Sequence, residues 1–238
     1  MPYRLEQRAI GGVARLFAGN VAVPVGPLDD AAYLAGFTED GEPIVITVLI
    51  EAKNVRHWIY PADWEIFQLL DKAARLQLQF PNRGFVPVLV ARRVHYLTFL
   101  MAEELGFRCY YFNRQPILPH SDVADEALAE VVTELRYDII KTNAAFEKVT
   151  EGFVRLAKAV RGAPIDEIAA RWRQSASVVE RHAAGLRDDA VIGRQRFELM
   201  DDFRQACADE LECTGDWLGQ RVLGRLEDEY GYDVDPED

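Results

Sequence analysis

A long apolar segment of the chain runs from Ile44 to Ile50 and ends in Glu51, Ala52, Lys53 and Asn54. Its seven consecutive apolar or β-branched residues, preceded by Gly41 and Pro43, predict a central strand that is buried on both faces. Residues two apart in a strand point to the same side, so Glu51 and Lys53 should leave one face together. Because a buried charge is costly unless it is paired or bound to metal, these two residues are the first candidates for function.

The flanking hydrophobic pattern predicts a helix over Leu5–Phe17, a short strand over Asn20–Val25, and a strand that opens with Asp29 and Asp30 and continues as AAYLAGF. These two strands and the Ile44 strand should form an antiparallel meander. The pattern downstream predicts a helix, a strand, a helix and a strand, over Pro61–Leu78, Gly84–Ala91, Val94–Leu105 and Phe107–Phe112. This order predicts a mixed α/β domain with helices on both faces of a small sheet.

After Pro116 the pattern becomes helical throughout. The predicted helical stretches are Val123–Val160, with a break near Gly152, Ile165–Leu186, Gln195–Leu211 and Trp217–Glu229. We therefore expect two parts, an α/β domain over residues 1–118 and an all-α region over residues 119–238 that packs against it.

Charge distinguishes the same two parts. Up to Leu118 the chain has 12 basic and 12 acidic residues, and from Pro119 onward it has 15 basic and 27 acidic residues. This distribution is unlike that of a globally basic nucleic-acid-coating protein. No apolar run is long enough to span a bilayer, the N-terminus lacks a secretory signal, and the three cysteines show no CxxC spacing. We therefore expect a cytoplasmic protein with free thiols.

The acid at the start of one strand and the Glu51-Ala52-Lys53 triplet at the end of the next resemble the PD-(D/E)XK nuclease superfamily. In that restriction-endonuclease-like fold, a helix, a three-strand meander, a helix and a strand hold an acid on the second strand and a (D/E)xK triplet on the third. Asp30 and the triplet occupy these positions here, and Asn54 is also frequent in the family. The resemblance covers about residues 4–112.

This resemblance implies a metal-dependent nuclease, either an endonuclease or an exonuclease, that hydrolyses phosphodiester bonds of nucleic acid, with DNA favoured. Asp30, Glu51 and the carbonyl of Ala52 would bind Mg²⁺ or Mn²⁺ through hard oxygen ligands. The metal would activate a water molecule and polarise the phosphate. Lys53 would orient this water and stabilise the developing charge.

Two accessory residues follow from the same resemblance. Glu6 corresponds to a third acid near the metal, and Gln68 to a glutamine that some subfamilies use at the site. The QxxxY extension of that glutamine motif is not matched, because Lys72 stands at its last position. Asp29 competes with Asp30 as ligand, and we prefer Asp30 because it leads directly into the apolar run.

Three alternatives remain open. Glu51 and Lys53 would also suit a plain salt bridge at a strand end, with Asp29 and Asp30 capping a turn. An inactive nuclease fold would instead dock a protein partner, or a second copy of the chain, through its acidic C-terminal helices. Finally, residues 165–182 resemble a helix-turn-helix and suggest a DNA-binding regulator, although Arg173 and Gln174 replace the expected turn glycine and a buried apolar residue.

The four histidines show no metal-ligand spacing along the chain. We therefore expect His57, which follows the triplet by four residues, to be a surface or core residue rather than a ligand. Arg92 and Arg93 follow the Gly84 strand, and we expect a solvated strand end there rather than a phosphate contact.

Overall fold

The structure is a computed structural model that describes residues 12–17, 20–37, 40–112, 115–117, 130, 133, 139–141, 147–162 and 165–218. Glu6 and the N-terminal part of the predicted first helix lie outside these residues. Within them, the main sheet has four strands, which follow two shorter strands in the chain: β3 (Asp30–Phe37), β4 (Pro43–Lys53), β5 (Gly84–Ala91) and β6 (Arg108–Tyr111). They lie side by side in this order, with β3 antiparallel to β4 and the last three strands parallel. The predicted α/β class and the central position of the Ile44 strand are confirmed.

The N-terminal part of the fold differs from the prediction. Residues 15 and 16 are not helical but form β1 (Arg15–Leu16), which pairs with β2 (Val21–Ala22) in a separate two-stranded ribbon. The expected three-strand meander is therefore wrong, since β2 does not pair with β3. One physical reason is Gly12, whose φ of 99° is outside helical geometry and whose backbone is too close to the Leu28 carbonyl to leave room for a Cβ atom.

Two helices follow the sheet strands as expected, α1 (Trp64–Gln79) and α2 (Tyr96–Leu105). Helix α1 begins three residues later than predicted, because Tyr60 and Asp63 form a turn in which the Asp63 amide donates to the Tyr60 carbonyl at 3.0 Å. Helix α2 ends at Gly106, whose left-handed φ of 84° supplies the C-cap. A Cβ atom on Gly106 would lie 2.4 Å from the Trp172 amide nitrogen, so this glycine also allows a later helix to pack closely.

The C-terminal half is not entirely helical. Two short parallel strands, β7 (Gln115–Ile117) and β8 (Ile139–Lys141), pair with each other. The all-α prediction for residues 119–238 is therefore wrong at Ile139–Lys141. Helices α3 (Glu147–Gly162), α4 (Ile165–Leu186) and α5 (Gly193–Leu211) follow, and a short 3-10 turn spans Asp216–Leu218. Helix α3 continues through Gly152 without a break, and this glycine lets the Tyr110 ring pack against the helix. None of the helices in the described part of the chain combines the length and apolarity that crossing a membrane requires.

Helix α4 contradicts the helix-turn-helix prediction for residues 165–182. It is one uninterrupted helix through Arg173 and Gln174, where the motif requires a turn between two helices. The physical reason is packing, because Trp172, Val179 and Ala183 are buried in the core together with side chains of α1.

The core has two layers of side chains, one on each face of the main sheet. Successive residues of β4 point into different layers. Leu49 belongs to the layer beneath α1, α2, α4 and α5, whereas Val48 belongs to the layer beneath α3. The predicted domain boundary at residue 118 stays a prediction, but α4 and α5 share a core with the sheet and α1.

Arg196 ties α5 to this core. Its buried guanidinium donates to the carbonyls of Ala62, Leu186, Asp188 and Val191 at 2.5 to 3.1 Å. It thereby satisfies carbonyls at the end of α4 and holds the following loop against the start of α1.

Candidate active site

The candidate site is built around Glu51 at the end of β4. Glu51 is only 3% exposed and its carboxylate is paired with two lysines. Lys72 of α1 donates to Glu51 Oε1 and, at 2.5 Å, to the Pro27 carbonyl. The Nζ atom of Lys53 lies 3.5 Å from Glu51 Oε2. The predicted projection of Glu51 and Lys53 from one face of β4 is therefore observed.

Gln68 lies beside these residues, as the resemblance implied. Its Oε1 atom accepts a hydrogen bond from Lys53 Nζ at 2.5 Å. Gln68 and Lys72 are four residues apart on α1, so they lie on the same side of the helix and both face the end of β4. Lys72 was noted in the sequence only because it breaks the QxxxY motif, yet it is the closest basic partner of Glu51. Its spacing of four residues from Gln68 is the signal by which the sequence would have pointed to it.

The structure brings Asp29, and not Asp30, to Glu51. Asp30 is paired with Ile50 in the β3–β4 ladder, so its side chain leaves the face opposite to that of Glu51 and Lys53. Asp29, one residue earlier, lies across from Glu51, and its Oδ2 atom accepts a hydrogen bond from the Ala52 amide at 2.7 Å. The preference for Asp30 is therefore corrected in favour of Asp29. Ala52 itself is exposed, and its amide is the group that fixes Asp29.

The electrostatics of Glu51 reflect this crowding. Burial is the largest effect and raises the pKa of its carboxyl above the ordinary value, whereas the hydrogen bond from Lys72 and the positive charges of Lys72 and Lys53 lower it. The Asp29 carboxyl, within hydrogen-bonding reach, raises it further. Two neighbouring carboxyl groups are stable side by side only if they share a proton or a cation. The two adjacent carboxyl groups of Asp29 and Glu51 therefore offer a better binding site for a cation than the single carboxylate of an isolated salt bridge would.

A cleft of about 410 Å³ adjoins the cluster. Gln68 and Lys72 line it, together with the loop at Val25–Pro27 and the residues that follow α4, namely Arg187, Asp188 and Asp189. The candidate residues Gln68 and Lys72 therefore border a space that a solute can enter, and Glu51 is more deeply buried than either of them. A second cavity of about 440 Å³, between α2, β6 and α3, is lined largely by apolar side chains and contains none of the predicted site residues.

Arg92 differs from the expectation of a solvated strand end. It directly follows β5, is 3% exposed, and its amide donates to the Lys53 carbonyl at 3.2 Å. Burial lowers the pKa of its guanidinium, and the nearby positive charges of Arg93 and Arg56 lower it further. Three arginines thus gather beyond the same strand end that holds Lys53, a feature that no spacing rule in the sequence revealed.

The chain matches no family model, no curated protein and no solved structure. The resemblance to the PD-(D/E)XK nucleases therefore depends on the residues and topology described above.

Proposed function

We propose that this chain is a divalent-metal-dependent nuclease with a restriction-endonuclease-like α/β domain, acting on nucleic acid with DNA as the favoured substrate. The observation on which the proposal depends is the convergence of Asp29, Glu51, Lys53 and Gln68 at the end of the central strand. A plain ion pair would need neither a second carboxylate nor a glutamine that holds the lysine.

Asp29 and Glu51 would hold the metal, since their adjacent carboxylates are the hard oxygen ligands that Mg²⁺ and Mn²⁺ prefer. When bound, the metal supplies an activated water molecule and neutralises charge on the phosphate. Lys72 competes for the same site, because its ammonium group occupies Glu51 Oε1. Metal binding therefore requires Lys72 to release this oxygen, and the Pro27 carbonyl gives its ammonium group a remaining partner.

Lys53 is the residue proposed to act on the substrate. Gln68 holds its Nζ atom at 2.5 Å, and the 3.5 Å separation from Glu51 leaves the ammonium group able to donate to a phosphate oxygen or to an attacking water molecule. Gln68 is thus a positioning residue that keeps the lysine amine at the metal-binding carboxylates.

Affinity for a polyanion would come from the arginines rather than from the cleft. Asp188 and Asp189 add negative charge to the cleft wall, which disfavours a phosphate backbone there. Arg56 is exposed and Arg93 is half-buried beyond the strand end that presents Lys53, so both guanidinium groups are accessible to a phosphate group. The substrate backbone is therefore proposed to approach from the arginine side.

The competing proposal is an inactive nuclease fold that docks a protein partner or a second copy of the chain through its acidic C-terminal region. The observation that favours it is the pairing of Glu51 with Lys72, which already satisfies one carboxylate oxygen without any metal.

The test is cleavage of single-stranded DNA, duplex DNA and RNA by the full chain with Mg²⁺ or Mn²⁺, compared with Lys53→Ala. We expect the wild-type protein to cleave at least one of these substrates and Lys53→Ala to lose at least roughly 100-fold in rate. Lys158→Ala is the matched control, since it removes an exposed lysine from α3 on the other face of the sheet and should retain wild-type activity.

Equal cleavage by wild type and Lys53→Ala would overturn the assignment of Lys53. Absence of cleavage by the wild-type protein with every substrate and both metals would overturn the nuclease proposal and favour the inactive fold.

A further inference from the structure

A second cluster of potential metal ligands lies where the chain enters α1. His57, Asp63 and Glu65 each place one ligand atom so that the three atoms lie within 4.8 Å of one another. His57 Nε2 is 3.6 Å from Glu65 Oε1 and 4.0 Å from Asp63 Oδ2. The residues are too irregularly spaced to be recognised in the sequence, and the turn at Tyr60–Asp63 is what brings them together.

Two acids at the start of a helix have an ordinary explanation, because they interact favourably with the helix dipole. Asp63 has an ordinary role of its own, since its Oδ2 atom accepts a hydrogen bond from the Tyr60 amide at 2.7 Å in the turn before α1. Glu65 is the acid in the first turn of α1, but the helix dipole does not account for its burial. Its side chain is directed at His57, the residue is 4% exposed, and its buried Oε2 atom has no hydrogen-bond donor among the residues that the structure describes.

A buried polar oxygen without a partner is costly, and more so when it is charged. The helix dipole offsets only part of this cost. A cation bound between the three side chains would remove this cost by coordinating Glu65 through one or both oxygens. Since Glu65 faces an imidazole and a second carboxylate, the surrounding groups supply the other ligands.

We propose that His57, Asp63 and Glu65 form a binding site for a first-row transition-metal dication, with Zn²⁺ as the best fit. An imidazole nitrogen together with two carboxylates suits Zn²⁺ and disfavours Mg²⁺, which takes oxygen ligands and water. Ligand atoms around tetrahedral Zn²⁺ stand about 3.4 Å apart for bonds of about 2.1 Å. The two His57 distances of 3.6 and 4.0 Å are close to this value, and since all three atoms lie within 4.8 Å of one another, no pair needs to approach by more than about 1.4 Å.

The site is also open to entry by a metal ion. The His57 side chain is 51% exposed, whereas that of Glu65 is 5% exposed, so the imidazole covers a ligand that is already in place. Three protein ligands leave a fourth position for water, the arrangement typical of zinc sites that interact with a substrate. This proposal does not rest on the nuclease function, because it uses none of Asp29, Glu51, Lys53 or Gln68.

The experiment measures Zn²⁺ binding to the metal-stripped full chain by isothermal titration calorimetry, with Co²⁺ absorption as a report on ligand geometry. We expect Glu65→Gln and His57→Ala each to weaken Zn²⁺ binding by more than roughly tenfold. Mutating a residue that only supports a metal ligand already costs about tenfold or more in affinity, so loss of a ligand itself should cost at least as much. Glu198→Gln removes an exposed carboxylate from α5 and should bind Zn²⁺ as the wild type does.

Glu51→Gln separates this site from the candidate active site and should also retain Zn²⁺ binding at the His57 cluster. The proposal is overturned if the wild-type protein does not bind Zn²⁺, if Glu65→Gln and His57→Ala bind it as tightly as wild type, or if only Glu51→Gln loses it. Because His57 is half exposed, His57→Ala tests the site even if Glu65→Gln does not fold.

Discussion

Asp71 and Glu51 are both buried acids, but their surroundings differ in kind. Asp71, on α1, is fully buried, and each of its oxygens faces a guanidinium group, with Arg75 Nε at 2.6 Å and Arg187 Nε at 3.1 Å. Glu51 is paired with two lysines but also lies against a second carboxyl, that of Asp29. In the Asp71 group the carboxylate faces only groups of opposite charge, and it joins α1 to Arg187, the residue that follows α4. The Glu51 group also places two carboxyl groups against each other beside a cleft, an arrangement that suits a cation-binding site.

The largest effect on stability is expected at Asp71. Asp71→Ala leaves Arg75 and Arg187, whose side chains are each 36% exposed, without their shared carboxylate, and a hydrogen bond to a charged group contributes about 1.5 to 3 kcal/mol. Because water replaces part of this interaction at the exposed guanidinium groups, the free energy of unfolding from urea titration should fall by about 3 kcal/mol, the lower end of the sum for two such bonds. The matched control is Arg194→Ala, which breaks an exposed pair with Glu198 and should change this free energy by less than about 0.5 kcal/mol. Equal losses in the two variants would contradict the structural role of Asp71.

An intermediate effect is expected at Lys72, and it should depend on metal. Lys72→Met leaves Glu51 without its closest partner, so the metal-free protein should lose about 1 to 3 kcal/mol of unfolding free energy. The same change vacates Glu51 Oε1, so Mg²⁺ or Mn²⁺ should raise the thermal midpoint of Lys72→Met more than that of wild type. A midpoint of Lys72→Met that does not respond to either metal would show that the Glu51 cluster is a structural ion pair.

The smallest effect is a difference in pH dependence between Glu51 and Glu104. Burial raises the pKa of Glu51, so its contribution to stability is full below its ordinary pKa of 4.5 and is lost as pH rises through the higher folded value. Glu104 accepts hydrogen bonds from Thr214, Gly215 and Trp217. Burial is the largest single effect and raises the pKa of the Glu104 carboxyl, but the hydrogen bonds from Thr214, Trp217 and Gly215 together outweigh it and lower the pKa below its ordinary value. Its contribution is therefore present above pH 4.5 and is lost as pH falls through the lower folded value.

This difference predicts opposite trends for two glutamine variants. As pH rises above 4.5, the stability of Glu51→Gln should increase relative to that of wild type, since the wild-type protein must ionise a buried acid. Over the pH range around and below 4.5, Glu104→Gln should lose stability relative to wild type as pH rises, because glutamine cannot accept the hydrogen bonds as an anion. Urea titrations at a series of pH values measure both, and trends of the same sign would contradict the assigned environments.

The sequence predicted the strands and helices of the α/β part well where the local pattern was clear, as in a continuous apolar run or a helix that ends at a glycine. The Gly84–Ala91 strand agrees residue for residue with β5, and the helix ended by Gly106 agrees at its C-terminus. The predictions were wrong where a segment becomes a strand by pairing with another segment. Arg15–Leu16 is a strand because it pairs with Val21–Ala22, and Ile139–Lys141 is a strand because it pairs with Gln115–Ile117. Such pairs are held by backbone hydrogen bonds across the chain, which side-chain periodicity does not encode.

At the candidate site, the sequence alone determined that Glu51 and Lys53 share a face at the end of a buried strand, because alternation along a strand is a local property. Tertiary structure decided which residues meet them. The register of β3 against β4 selected Asp29 over Asp30, since a shift of one residue moves a side chain to the opposite face. The packing of α1 brought Gln68 and Lys72 to the same place, and the turn before α1 brought His57 to Glu65. These contacts join residues distant in sequence or separated by an irregular turn, so only the folded chain determines them.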